Sequence, residues 1–176
     1  VFYGDLQAAF RAAVEASRAA FSVPVPAQAD IVIAGSYPAD LEFWQAHKAL
    51  YPAEMAAKPG GTLIIVTPCP EGVAVMHPEM LEYTAWPAEA IDAAVKAGRI
   101  PDVPAAALAI AWAHVRQGRQ VSIVSSGLSD DATQKLGFVP FASVEEALED
   151  AFRRHRKDAT VNVLPMAPET LPVRRQ

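Results

Sequence analysis

The sequence predicts an α/β fold, a three-layer sandwich with a mostly parallel sheet flanked by helices, on three observations. Short aliphatic runs of strand length stand at Ile31–Gly35, Thr62–Thr67, Val121–Ser125 and Val161–Leu164, continuous rather than alternating, as in strands buried on both faces. Helical patterns separate them, giving the order α-β-α-β-α-α-β-α-α-β. The chain has 176 residues, 52% hydrophobic and 20% charged, enough for a single core without metal or disulfide support, so one domain over residues 1–176 is expected. In such a sheet, ligands are expected at the carboxyl ends of the strands.

Each element has a local cause. Asp5 is placed to cap a first helix in which Leu6, Phe10, Ala13, Val14, Ser17 and Phe21 recur at helical spacing, before a linker containing Pro24 and Pro26. Asp40 is expected to cap a second helix, closed by Pro59-Gly60-Gly61. Pro87 suits the first turn of a helix stopped by Gly98, and Asp102 precedes an alanine-rich helix, Ala105–Arg116, stopped by Gly118. Ser129 starts a short helix ending at Gly137, and Ser143-x-x-Glu146 forms a capping box. The helix it opens has Glu145 and Glu146 at its start and Arg153, Arg154 and Arg156 at its end, the polarity its dipole favours. Val163–Gln176, with three prolines, is expected to be an extended tail.

Composition narrows the function classes. Cys69 is the sole cysteine, which excludes a disulfide scaffold and fits a reducing cytoplasm. The apolar runs fall far short of the ~20 residues of a membrane span. A net charge of -5, with basic residues clustered only at Arg153, Arg154, Arg156 and Lys157, speaks against nucleic acid. No signal or targeting feature is present, and an opening on Val1 instead of Met fits a piece of something longer.

The loops after the strands, Gly35–Asp40, Pro68–His77 and Ser126–Asp131, are where chemistry is expected. The first delivers the helix bearing Trp44, Gln45 and Lys48. At ~100° per residue Trp44 and Lys48 lie ~40° apart and Gln45 ~100° from Trp44, so an aromatic plane, an amide and an ammonium share one face suited to an organic anion. The same spacing admits a plainer reading, with Trp44 in the core and Lys48 solvated. Cys69 lacks a flanking base and reads as a partly buried structural thiol, with His77 only a chance partner. His47, His114 and His155 are spread over separate helices at surface or helix-end positions, so no metal site is expected. The loop Ser125–Asp130 could hold a carboxylate or phosphate on its backbone N–H groups, or simply cap its helix. With no G-x-G-x-x-G or P-loop, a dinucleotide or ATP site is disfavoured.

An ordered series of motifs goes further. Ala29–Ile33, Tyr37-Pro38-x-Asp40, Gln45-Ala46-x-Lys48-Ala49, Lys58–Ile65, Cys69-x-Glu71-Gly72, Ser126–Asp130, Leu136–Phe138, Ser143-x-Glu145-Glu146-Ala147-Leu148 and Val163-Leu164-Pro165 together resemble the C-terminal domain of the nickel-pincer lactate racemase family over nearly the whole chain. The resemblance implies an isomerase, a racemase or epimerase of small 2-hydroxy acids. By that resemblance, hydride would leave the substrate's α-carbon for a nickel pincer nucleotide and return to either face. It also implies that the nickel ligands, the lysine attachment and the two acid/base histidines belong to an N-terminal catalytic domain absent from this chain. This domain, binding no cofactor alone and inactive alone, would form one wall of the interdomain cleft.

Carried over by motif, Gln45 and Lys48 would have catalytic roles, orienting the substrate's carboxylate or hydroxyl, with Trp44, Tyr37 and Asp40 binding substrate; cofactor-binding positions are not identified. Trp44 stands where the family usually has Tyr, Gly35-Ser36 where it has Gly-Gly, Glu42 where it has Asn, and Ala74-Val75-Met76 replaces a Gly before the histidine. These departures point away from lactate itself as substrate. The alternative from the residues is a non-catalytic α/β module binding a small anion or nucleotide.

Overall fold

The structure is a computed structural model and describes residues 1–174. Five parallel strands form one sheet in the order β5-β4-β3-β2-β6: β2 (Ala29–Gly35), β3 (Ala57–Val66), β4 (Val121–Val124), β5 (Val139–Phe141) and β6 (Val161–Leu164). A separate two-stranded parallel ribbon joins β1 (Ser22–Val25) to β7 (Leu171–Arg174). The α/β class and the parallel sheet therefore stand as expected.

Strand alternation sends one set of side chains to each face. Val32, Ala34, Leu63, Ile65, Val121 and Ile123 pack under α2 (Phe43–Ala46), α3 (Leu50–Ala56), α4 (Ala88–Lys96) and α5 (Val103–Arg116), around Phe43 and Trp112, whose rings meet edge to face at 5.3 Å. Ile31 and Ile64 face the other way, against Ala147 and Ala151 of α7 (Val144–Arg154). Helices on both sides complete the three layers.

The local caps hold. Asp5 caps α1 (Leu6–Phe21), accepting from Ala8 N at 3.0 Å. Asp102 accepts from Ala105 N at 3.1 Å. Ser129 and Ser143 cap α6 (Asp130–Lys135) and α7 at 3.2 and 3.1 Å.

Five expectations are corrected. Asp40 does not cap α2: the cap position is Glu42, which makes no side-chain cap bond, and carbonyls of the neighbouring loop serve instead. The segment after it is no single helix, because His47–Ala49 is wound as 3-10. Pro59-Gly60-Gly61 does not separate helix from strand but lies inside β3, beside a register shift opposite Ala29–Ile31. The Pro24 linker and the C-terminal tail are strands β1 and β7, with a 3-10 turn at Ala167–Glu169 between β6 and β7; Arg175 and Gln176 lie outside the described residues.

At the amino edge, Asp30 fastens three strands. Lys58 Nζ donates to both its carboxylate oxygens at 2.9 Å, while Thr160 N and Oγ1 each donate at 2.8 Å. The Lys58 bonds, then those from Thr160, hold the Asp30 carboxyl well below the usual carboxylate range.

Candidate functional site

Three loops meet at the carboxyl edge. The loop after β2 and the loop after β3 are stitched backbone to backbone: Cys69 N donates to Asp40 O at 3.0 Å and Glu71 N to Leu41 O at 2.9 Å. The free N–H groups that open α2 are then taken by the second loop, Phe43 N donating to Gly72 O at 2.9 Å and Trp44 N to Val73 O at 2.8 Å. Glu42 answers in the other direction, its Oε2 accepting from Val75 N at 3.0 Å. The loop after β4 closes the set through Ser125 Oγ, which donates to Pro68 O at 3.1 Å, and through Gly127, whose missing Cβ leaves room for the Cys69 carbonyl. A sheet edge that would otherwise end in three loose loops thus becomes a platform under the short α2.

On this platform the two proposed catalytic side chains touch. Lys48 Nζ donates to Gln45 Oε1 at 2.6 Å. The 3-10 winding of His47–Ala49 explains the pairing: at 3.0 residues per turn, positions i and i+3 eclipse, which draws Gln45 and Lys48 together and turns Trp44 aside. An ideal α-helix would have favoured Trp44 over Gln45 as the neighbour of Lys48. Lys48 is exposed and Gln45 half-buried, so the ammonium keeps two donors, and the amide its N–H groups, for an incoming anion.

Trp44 instead stacks on His77, ring centroids 4.0 Å apart and planes 15° from parallel. His77 is in turn held by Asp102, Nδ1 to Oδ2 at 2.6 Å. That bond, above all, keeps the Asp102 carboxyl below its usual range, so the carboxylate can only accept and Nδ1 carries the proton. Asp102 therefore does two jobs, capping α5 with one oxygen and orienting His77 with the other. The result is a braced aromatic wall running from Trp44 to a cleft of about 190 Å³ lined by Glu71, Val75, His77 and Leu81. Sequence reasoning read Asp102 only as a cap and His77 only as an improbable base; 25 residues separate them, and no spacing rule connects the two.

The remaining candidates are placed as follows. Tyr37 is 60% exposed on the loop after β2, and Asp40 is half-buried beside it. Cys69 is fully buried, its Sγ 3.1 Å from Thr67 Oγ1, and burial pushes its thiol up to about 11, with Asp40 and Glu42 also opposing the thiolate. His47, expected near the surface, is buried. Its Nδ1 donates to Trp44 O at 2.7 Å and its ring packs near Tyr51 and Trp112; burial lowers its pKa. His155, a helix-end residue as expected, meets Thr62 Oγ1 at 2.9 Å. Among the described residues, no group of three or more His, Cys, Asp or Glu could hold a metal ion, and no helix is long and apolar enough to cross a membrane.

A larger cleft of about 660 Å³ lies at the opposite, amino edge, where Nε and Nη1 of Arg119 are buried without a hydrogen-bond partner among the described residues. Arg116 donates to the carbonyls of Leu136 and Thr84, Arg119 pairs with Glu54, and Arg154 with Asp150. The carboxyl edge carries the residues singled out from the sequence, Lys48 exposed and Gln45 half-buried.

Fold and site define an α/β domain that carries a cation–amide pair and an aromatic surface at the carboxyl edge of its sheet. The chain belongs to the lactate racemase C-terminal domain family, whose model matches residues 25–168. It is 30% identical over 169 residues to the lactate racemase of Lactiplantibacillus plantarum, covering 93% of this chain and 39% of that protein. Its fold is similar to that of the lactate racemase apoprotein from Thermoanaerobacterium thermosaccharolyticum, with a TM-score of 0.76 and 23% identity over 94% of this chain and 40% of the other. A protein from Thermotoga maritima shares the fold at a TM-score of 0.61 and 17% identity, over 96% and 42%. The chain spans about two fifths of the length of these relatives. The alternative of a small-anion or nucleotide-binding module gains nothing from these matches.

Proposed function

We propose that this chain is the C-terminal domain of a two-domain racemase or epimerase of 2-hydroxy acids and forms one wall of its interdomain active-site cleft. The observation that carries the reading is the Lys48–Gln45 pair, exposed on the carboxyl-edge platform of a lactate racemase C-terminal domain. Lys48 would bind the substrate carboxylate, Gln45 would orient carboxylate or hydroxyl, and Trp44, Tyr37 and Asp40 would bound the substrate. Trp44, flattened against His77, offers an apolar face without a phenol hydroxyl, which favours a 2-hydroxy acid larger than lactate.

The family implies a nickel pincer nucleotide, which when bound supplies reversible hydride acceptance. The donors here suit its anionic periphery or the substrate rather than the metal: Cys69, the sole thiol, is buried and protonated, whereas Lys48 and Gln45 present N–H groups. The nickel ligands and acid/base residues accordingly fall to an N-terminal catalytic domain, and this domain is inactive alone. The single buried thiol fits work in the cytoplasm.

The test uses the full-length polypeptide that carries this chain. Racemisation of a panel of enantiopure 2-hydroxy acids is followed by chiral chromatography. Lys48→Ala is expected to lower kcat/KM at least ~10-fold with the melting temperature unchanged, the loss of one charge-assisted bond. Full activity in that variant removes the assigned role, and a wild-type protein inert towards the whole panel removes the reading.

A further inference from the structure

Asp102 fixes more than the position of the His77 ring. Its Oδ1 accepts from Ala105 N at 3.1 Å and its Oδ2 takes the Nδ1 proton of His77 at 2.6 Å, so both oxygens are committed. The tautomer of the neutral imidazole is thereby set, with the lone pair on Nε2. The two ring nitrogens point to different sides of the ring, which turns Nε2 away from Asp102. It has no hydrogen-bond partner among the described residues and is open to solvent, on a side chain that is 24% exposed.

His77 lines the cleft of about 190 Å³ beside Trp44. The apolar walls are Val73, Val75, Pro78 and Leu81, and the other polar side chain is the exposed Glu71. Among the described residues no lysine or arginine lines it, so its two polar side chains are both acceptors. The turn that shapes it is pinned: Val75 N donates to Glu42 Oε2 at 3.0 Å and His77 N to Ala74 O at 3.2 Å. The volume equals about six waters at ~30 Å³ each, room for a short side chain. Trp44 adjoins Gln45 in the chain and its ring lies 4.0 Å from that of His77, so the cleft begins one aromatic layer from the residue flanking the Lys48–Gln45 pair.

We propose that this cleft is a subsite for the side chain of the 2-hydroxy acid, and that His77 Nε2 accepts a hydrogen bond from a donor, hydroxyl or ammonium, carried on that side chain. The inference rests on the racemase reading above and names the substrates that reading leaves open. Asp102 is the positioning residue: it acts through His77, deciding that the ring presents an acceptor and not a donor. A donor-bearing substrate satisfies Nε2 on an otherwise apolar surface, whereas an alkyl analogue leaves it unpaired.

The full-length protein is tested with three acids of equal heavy-atom count: 2-hydroxypentanoate, 2,4-dihydroxybutyrate and 4-amino-2-hydroxybutyrate, and with their homologues one carbon longer. In wild type, kcat/KM for at least one donor-bearing acid is expected to exceed that for its alkyl match by ~10-fold or more, and the larger ratio names the donor. Equal or reversed ratios refute the subsite. Asp102→Asn is the sharper probe. Asn caps a helix as well as Asp does, and because its Oδ1 must still accept from Ala105 N, its amide N–H faces His77 Nδ1 and drives the proton to Nε2. The ammonium, a donor only, should then lose its advantage by ~10-fold or more, while the hydroxyl, which can also accept, loses less. His77→Phe keeps a flat ring for Trp44 to stack on and should bring every ratio to about one. A brace with no part in recognition predicts wild-type ratios in both variants, and that result overturns the proposal.

Histidine ¹⁵N resonances, assigned by their loss in His77→Phe and recorded at pH ~8, separate this proposal from the activity. A wild type inert towards every acid whose Nε2 resonance shifts on adding 4-amino-2-hydroxybutyrate or 2,4-dihydroxybutyrate, and not on adding 2-hydroxypentanoate, overturns the racemase reading and keeps the subsite. An active enzyme whose Nε2 resonance ignores all three does the reverse.

Discussion

Gly127→Ala is expected to loosen the platform that carries the site. A Cβ at this position would stand 2.6 Å from both the Cys69 carbonyl carbon and the Pro68 oxygen, with the Cys69 oxygen closer still, whereas ordinary contacts run from 3.4 to 4 Å. All of these are backbone atoms, so no rotamer change relieves the clash, and the loops after β3 and β4 must part by about 0.8 Å at Pro68 alone. Overpacking of this order costs about 1–3 kcal/mol. The Ser125 Oγ bond to Pro68 O spans the same gap, and its loss adds about 1 kcal/mol. A total of about 2–4 kcal/mol corresponds to a fall in Tm of about 5–15 °C for a domain of this size. Calorimetry on the full-length protein and on Gly72→Ala as a control separates crowding from backbone conformation: Gly72 has φ +82° with open space around it, so its variant should lose only about 1 kcal/mol. A Gly127→Ala protein melting within about 2 °C of wild type would refute the packing argument.

Other outcomes follow from single contacts. The Asp30 carboxyl is depressed by Lys58 and Thr160, so its contribution is complete above the unfolded-state value of ~3.9 and is lost as pH falls through the lower folded value; Tm should drop more steeply below pH ~4 in wild type than in Asp30→Asn, and parallel curves would count against the clasp. Cys69, with its thiol pushed up to about 11, should react with iodoacetamide at pH 8 at least ~100-fold more slowly in the native protein than in urea. His77→Ala removes the ring stacked on Trp44, and the Trp44 emission, taken as the difference from Trp44→Phe, should move to longer wavelength while the Asp102 cap of α5 persists in the helical circular dichroism.

What could be read from the sequence was local. The caps at Asp5, Asp102, Ser129 and Ser143 involve partners three residues away, and each is where its residue type and spacing place it. β1, β5 and β7 escaped because Pro24, Pro140 and Pro172 interrupt them and because their partners are remote, β1 meeting β7 across the length of the chain. Asp40 misled for a related reason: a good capping residue two positions early lost to the carbonyls of Gly72 and Val73, a tertiary solution invisible in any window. The face of Lys48 was visible, but the 3-10 winding that pairs it with Gln45 was not, and the His77–Asp102 brace exists only once β3 and α5 are assembled.

The Asp30 clasp also bears on how such a domain can change. Its bonds join the starts of β2, β3 and β6 at the end of the sheet remote from Lys48, Trp44 and His77. The clasp and the candidate site thus lie at opposite ends of the same strands, so the site end can vary without disturbing the clasp. Exchanging Trp44, or lengthening the turn around Val75, reshapes the carboxyl-edge surface while leaving untouched the fastening that keeps the sheet in register.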